Sequence, residues 1–165
     1  MSSIVRFAFD GGKQIEAALA RMERKTARNV VTRAVRKAQT PLRDAIRQRI
    51  KSELVTMNAQ ARAQYAKGIG ITTRQAKQGG VVGKVRTASK KVKLGNRITN
   101  FQPLAHLFER GVSPHQIKQK RRTIQHPGIR AIPIWVMTYD KMANRMVVDL
   151  RQYMFSELSR EWNKK

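Results

Sequence analysis

The sequence predicts an α+β fold, with long N-terminal and C-terminal helices packed on a small antiparallel sheet and with extended basic loops. Residues 13–38 and 138–162 carry apolar side chains at helical spacing, which predicts the two long helices. Segments near 68–73 and 79–88 are rich in glycine and β-branched residues, which is typical of short paired strands. The chain contains no repeat and no Ser/Gly-rich linker, so we expect a single domain over residues 1–165.

The first part of the chain is expected to contain one short strand and two long helices. Residues 3–9 are β-branched and aromatic and precede an Asp-Gly-Gly turn, a pattern that predicts a strand. The helix over 13–38 is expected to give way at Thr40 and Pro41 to a second helix. Threonine is a frequent N-cap, and proline fits the first helical position. The second helix is expected to end near Leu54.

Two shorter helices are expected further along the chain. Residues 57–67 have helix-forming composition, and Asn58 is a candidate N-cap. Another helix is expected between Pro103 and Gly111, where the glycine provides a C-terminal stop. Its expected apolar face consists of Leu104, Leu107 and Phe108.

Two basic segments, about 84–100 and 112–133, are expected to be loops. The first includes KKVKLGNRITN, which is consistent either with a basic loop or with an extended hairpin arm. The second contains three prolines, which limit it to brief strands at most.

The charge of the chain favours a polyanionic partner. Thirty-five Lys and Arg residues against 10 Asp and Glu give a formal net charge of +25, which attracts nucleic acid. Between Glu53 and Asp140 the only acidic residue is Glu109. No aromatic residues are interleaved with the basic run near residue 120, so contact with the nucleic-acid backbone, independent of sequence, is expected. The N-terminus lacks the apolar core of a signal peptide and no apolar run approaches ~20 residues, so we expect a soluble protein with no membrane partner.

Metal, cofactor and thiol chemistry are not expected. The sequence has no cysteine, which excludes disulfides and cysteine nucleophiles. Its histidines, His106, His115 and His126, have no second ligand at metal-binding spacing, and we expect His115 and His126 to make loop hydrogen bonds. The glycine-rich segments 68–70 and 79–83 do not match a phosphate-binding loop.

Glu109 is the carboxylate that most invites a catalytic interpretation. General acid–base catalysis by carboxylates needs a second group, and the sequence places no other acid near it. We therefore expect Glu109 to form an ion pair with Arg110 or Arg130, and we expect the chain to have no catalytic residues and not to be an enzyme.

A pattern in the second half goes beyond composition: LAHLFERGVSPHQI, a basic spacer, HPGIRAIPIW and a long final helix. It resembles the gene-product-ten-like family of neck or tail-completion proteins of long-tailed bacteriophages, related in role to the minor tail protein Z type. The resemblance covers about residues 104–162. Val112 departs from the threonine frequent in that family, and Ile134 and Trp135 stand where phenylalanine is usual. The matching positions are Leu107, Phe108, Glu109, Gly111, His115, His126, Pro127, Gly128 and Pro133.

This resemblance implies a structural virion protein of the head–tail connection. It implies a homo-oligomeric ring, six-fold in preference to twelve-fold, around genomic DNA that is contacted without regard to sequence. Expected neighbours are head-closure and tail-terminator or tail-tube proteins, and expected locations are the virion neck and, during assembly, the host cytoplasm. The candidates for the DNA channel or for subunit interfaces are Lys84, Arg86, Lys90, Lys91, Lys93, Arg97, Lys118, Lys120, Arg121 and Arg122.

Two other functions are consistent with the same charge. One is a sequence-independent nucleic-acid-binding protein of the cell, associated with the ribosome or the nucleoid. The other is a nuclease, which the scarcity of acidic residues disfavours, because Mg²⁺ sites generally need clustered carboxylates.

Overall fold

The fold class is α+β, as the sequence predicts, with long N-terminal and C-terminal helices packed on a small two-stranded antiparallel sheet. The expected strand over residues 3–9 lies outside the described residues. The computed structural model of the chain describes residues 12–76, 80–87, 91–94, 97–119 and 122–164.

The described residues contain five helices and six strands. The helices are α1 (Gly12–Ala20), α2 (Arg24–Glu53), α3 (Ala59–Lys67), α4 (Phe101–Arg110) and α5 (Ile134–Trp162). The strands are β1 (Ile69–Gln75), β2 (Val81–Thr87), β3 (Lys91–Leu94), β4 (Arg97–Asn100), β5 (His115–Gln119) and β6 (Arg122–His126). They form three two-stranded sheets, β1 with β2, β3 with β4 and β5 with β6.

The two segments expected to be loops contain regular structure. Lys91 pairs with Asn100 in an antiparallel register between β3 and β4, so the hairpin arm is the correct alternative for that segment. His115 pairs with His126 between β5 and β6, which makes two five-residue strands within the second segment. Antiparallel pairing satisfies the backbone groups of these basic segments without a large apolar face.

The chain divides into two compact units. The first unit comprises the described residues of Met1–Ala45, Gly70–Arg86 and Tyr139–Lys165. The second unit comprises Ile46–Ile69 and the described residues of Thr87–Thr138. Helices α2 and α5 each contribute residues to both units.

The core of the first unit is built from apolar stripes on three helices. Successive residues four positions apart lie on the same face of a helix, and this spacing recurs in the stripes of α2 and α5. Partly buried side chains, among them Met22 and Tyr153, pack against this core. Its buried members are Ile15, Val30, Ala34, Ala38, Leu150, Met154 and Leu158.

Helix α2 continues through Pro41, where the sequence predicts a boundary. A proline inside a helix costs about 3 kcal/mol, but each large aliphatic side chain that is fully buried stabilises by about 1.5–3 kcal/mol. The Thr40 hydroxyl does not cap a new helix; it donates to the carbonyl of Arg36 at 3.0 Å. The apolar stripe therefore outweighs the proline, and beyond Pro41 it continues with Leu42, Ile46, Ile50 and Leu54, all buried.

The expected helix over 13–38 is interrupted between α1 and α2. The N–H of Met22 donates to the carbonyl of Leu19 at 3.1 Å, and the carbonyl of Glu23 then accepts the N–H of Ala27. This turn places Met22 against the core of the first unit, and that packing accounts for the break.

The second unit contains a helix that begins as the sequence predicts. The Asn58 side chain accepts the N–H of Ala61 at 2.7 Å and so caps α3. The Arg47 guanidinium donates to the carbonyl of Ile69 at 2.7 Å, which joins α2 to the start of β1. The expected apolar face of α4 is only partly correct, because Phe108 is buried whereas Leu107 is 38% exposed.

No helix among the described residues combines the length and apolar character needed to cross a membrane.

Candidate functional site

The residues that carry the family resemblance meet at one place in the second unit. We call it the FERG–HPG junction, formed by residues 108–115 and 126–136. Val112 and Ile129 make an isolated antiparallel bridge there, in which the N–H of each residue donates to the carbonyl of the other at 2.8 Å. The N–H of Ile132 also donates to the carbonyl of Phe108 at 2.7 Å. Backbone hydrogen bonds thus close the connection between α4 and α5.

Two glycines allow the segments of the junction to approach each other. Gly111 has φ +71° and Gly128 has φ +86°, a conformation that residues with a side chain rarely adopt. A Cβ atom on Gly128 would lie 2.4 Å from the carbonyl oxygen of Val112, and one on Gly111 would lie 2.7 Å from that of Ile129. Each glycine therefore faces a bridge residue of the opposite segment, and no change of side-chain rotamer would relieve either clash.

Glu109 caps helix α5 from within the junction. Its carboxylate accepts the N–H groups of Trp135 at 3.1 Å and Val136 at 2.9 Å, two of the donors that a helix leaves unpaired at its N-terminus. The predicted ion pair with Arg110 or Arg130 is wrong for the described side chains, because the Glu109 carboxylate binds backbone donors and forms no ion pair with either arginine. The cap explains why α5 begins at Ile134, one turn before the expected start.

Arg49 donates hydrogen bonds to oxygen atoms in the first turns of α5. Its guanidinium donates to the carbonyl of Ile134 at 3.3 Å and to the Thr138 hydroxyl at 3.0 Å. It also forms a two-point contact with the Glu53 carboxylate, at 2.5 and 2.8 Å. Hydrogen bonding to Glu53 raises the pKa of Arg49, and the negative charge of Glu109 adds to the effect. These carboxylates offset the unfavourable position of a cation near a helix N-terminus.

Aromatic side chains fill the interior beside the junction. The rings of Tyr65 and Phe108 lie 6.3 Å apart in a tilted arrangement. Burial raises the pKa of Tyr65, while hydrogen bonds with the side chains of Trp135 and Thr87 act in the opposite direction. Trp135 thus contributes a polar contact as well as apolar area.

The two junction histidines make hydrogen bonds, as predicted, but they lie at the ends of β5 and β6 and not in a loop. Their rings stack with centroids 4.9 Å apart at the base of the β5–β6 hairpin. His126 Nδ1 accepts the N–H of Gly128 at 3.1 Å, and His115 Nδ1 donates to the Ser113 carbonyl at 2.9 Å. Pro127 is exposed, and the carbonyl of Pro133 accepts the N–H of Met137 at 3.1 Å in the first turn of α5.

The basic residues expected at a channel or interface are distributed over three sheets. The side chains of Arg86 and Lys118 are exposed, whereas Lys84 is half-buried. Lys90, Lys120 and Arg121 lie outside the described residues. The positions of the others are β2 for Lys84 and Arg86, β3 for Lys91 and Lys93, β4 for Arg97, β5 for Lys118 and β6 for Arg122.

The first unit contains a basic groove that the sequence pattern did not predict. Its volume is about 710 Å³, and it lies between the first turns of α2 and the β1–β2 hairpin. Arg36 Nε donates to the Thr73 hydroxyl across it at 3.2 Å. A signal was present in the sequence, because Arg24, Arg28 and Arg36 recur at multiples of four. It was missed because Arg74 comes beside them only in the folded chain. The charged residues of the described lining are Glu23, Arg24, Lys25, Arg28, Arg36 and Arg74.

Neither a metal site nor a relative identifies the function. Across the ranges that the structure describes, no group of three or more His, Asp or Glu side chains is placed to hold a metal ion. Comparisons with protein families, curated proteins and solved structures gave no match to this chain.

Replacing Glu109 with glutamine is expected to destabilise the start of α5 by about 1 kcal/mol, because the amide lacks the negative charge that the helix N-terminus favours and its nitrogen cannot accept a hydrogen bond. Hydrogen exchange at the amides of Trp135 and Val136 should become faster. Glu16→Gln, which neutralises an exposed carboxylate on α1, is the control. Unchanged exchange at both amides in Glu109→Gln would show that the cap does not stabilise the helix.

Proposed function

We propose that this chain is a structural protein of the phage head–tail connection. In this role it is a neck or tail-completion protein that forms a ring around the DNA channel and joins the tail to the head. The observation that carries the proposal is the FERG–HPG junction. Glu109 caps α5, Gly111 and Gly128 admit the bridge, and His126 accepts the N–H of Gly128. These contacts give the residues of the resemblance a common structural role, which supports the proposal.

The proposed mechanism is mechanical and electrostatic, with no bond made or broken. A closed ring repeats one heterologous contact around an axis, so each subunit presents two different complementary faces. A positively charged channel attracts the DNA backbone without reading its sequence. Adjacent head-closure and tail-terminator or tail-tube proteins would supply the faces above and below the ring.

Phage particles assembled without this chain are expected to appear as filled heads and separate tails in negative-stain images, because nothing joins the two parts. Adding the purified chain to these separated parts should restore joined virions. Gly70→Ala should also restore them, since Gly70 has no positive φ and an added Cβ would meet no atom within 4 Å. Joined virions in the complete absence of the chain would contradict the proposal.

A second candidate function is that of a sequence-independent nucleic-acid-binding protein of the cell, associated with the ribosome or the nucleoid. The basic groove favours it, because a single subunit already presents a concentrated positive surface. In cells that express the chain without other virion proteins, this function predicts co-sedimentation with ribosomes or nucleoids that is lost as salt rises. A chain that stays in the supernatant at low salt would count against it.

A further inference from the structure

We propose that the basic groove of the first unit binds the phosphate backbone of double-stranded DNA. The inference rests on the proposed function in one respect, which is that DNA is the polyanion the protein meets. The groove was not among the channel candidates predicted from the sequence, whose described members lie on β2 and on the two later hairpins.

The cations of the groove form a line that suits a polyanionic strand. Arg24, Arg28 and Arg36 are separated by multiples of four residues on α2, so they follow one ridge of the helix. A rise of 1.5 Å per residue makes this line about 18 Å long. One strand of duplex DNA has a phosphate about every 3.4 Å along the axis, so the line spans about five phosphates. Arg74 on β1 adds a cation from the opposite wall.

The groove cations have no carboxylate partner among the described residues, unlike several other cations of α2. Arg33 and Lys37 bind Glu157, and Arg49 binds Glu53. In the groove, Arg36 instead donates to a neutral hydroxyl. All five groove cations are exposed, so their charge is available to a ligand.

The uncharged lining favours phosphate over other ligands. Asn29, Thr32 and Gln75 offer hydrogen-bond donors that suit phosphate oxygens. Val81 is the one apolar side chain of the described lining, whereas a protein interface usually has an apolar core. Aromatic side chains on which single-stranded bases could stack are absent from that lining. Glu23 opposes binding, but it is one acid against five cations.

The test measures binding of the purified full chain to a random-sequence DNA duplex over a range of salt concentrations. Each phosphate contact contributes about 0.9 to the slope of log K against log salt. Replacing Arg24, Arg28, Arg36 and Arg74 together by glutamine should therefore reduce that slope by about 3.6. The matched control replaces four exposed cations outside the groove by glutamine, namely Lys13, Lys51, Lys141 and Arg151. Circular dichroism establishes that both variants keep their helical content.

The control variant should lose much less of the slope than the groove variant. Equal losses of slope in the two variants would overturn the proposal, because DNA binding would then depend on the total charge of the chain and not on the groove. A groove variant that keeps its DNA slope but no longer binds a polyglutamate probe would also overturn it, in favour of an acidic protein surface. The DNA-binding assay uses the isolated chain, so a negative result would overturn DNA binding by the groove without bearing on head–tail joining. The proposed function would be contradicted by a different result, namely virions that are joined in the absence of the chain.

Discussion

Replacing Gly128 with alanine is expected to destabilise the second unit by about 3 kcal/mol. The left-handed backbone conformation costs a residue with a side chain about 1–2 kcal/mol. The new Cβ would also lie 2.4 Å from the Val112 carbonyl oxygen, which can move only by weakening the two hydrogen bonds of the bridge, each worth about 1 kcal/mol. Urea unfolding monitored by tryptophan fluorescence measures the loss of stability, and hydrogen exchange at Val112 and Ile129 reports on the bridge.

Alanine substitutions at two other glycines distinguish the effect of backbone strain from that of the steric clash. Gly80 has φ +78°, but an added Cβ would meet no atom within 4 Å, so Gly80→Ala should cost only about 1 kcal/mol, the backbone contribution alone. Gly70 has neither a positive φ nor a close neighbour, and Gly70→Ala should be nearly neutral. If Gly128→Ala costs no more than Gly80→Ala, the bridge does not require the close approach.

Replacing Glu157 with glutamine is expected to destabilise the first unit by about 2 kcal/mol. The Glu157 side chain is 1% exposed and accepts hydrogen bonds from Arg33 Nε and Lys37 Nζ, both at 2.6 Å. Charged hydrogen bonds of this kind are worth about 1.5–3 kcal/mol each. Arg33 and Lys37 would keep their charges, but their side chains are 35% and 48% exposed and can be rehydrated, so the cost is smaller than that of leaving a fully buried charge.

The same carboxylate makes stability depend on pH. Burial acts to raise the pKa of Glu157, but hydrogen bonds from Lys37 and Arg33 outweigh it and lower that pKa below the ordinary value. Its contribution is therefore fully present above about pH 4.3, where an unfolded glutamate titrates, and is lost as the pH falls through the lower folded pKa. Acid unfolding of Glu157→Gln should be less steep than that of the wild type. Curves of equal steepness would contradict the prediction, and Glu16→Gln is the exposed control.

Local signals in the sequence predict the elements whose boundaries depend on nearby residues. Asn58 caps α3 through a residue three positions away, and the glycine and β-branched segments pair as neighbouring strands. Gly111 ends α4 with a positive φ, as a C-terminal stop should. In each case the preferred conformation depends on the backbone preferences and hydrogen bonds of neighbouring residues, which can be predicted from a few consecutive positions.

The features that the sequence does not predict depend on contacts between distant segments. Pro41 indicates a helix boundary because the free-energy cost of a proline inside a helix can be predicted from the local sequence. The burial of the apolar stripe outweighs that cost, but it depends on packing against distant segments. Glu109 suggests an arginine partner because the backbone donors that it binds lie 26 and 27 residues away. The basic groove forms because β1 lies opposite α2. The distribution of charge along the sequence does not reveal that Arg74 and Arg28 line the same groove.

The bridge between Val112 and Ile129 has a consequence for how this protein can change in evolution. Its hydrogen bonds use backbone atoms alone, so the side chains at these two positions can vary without affecting them. Within the junction, Gly111, Gly128 and the carboxylate at position 109 are tied to their residue types by the geometry. We therefore expect distant descendants of the same ancestor to keep these three positions and their spacing while most of the surrounding sequence diverges.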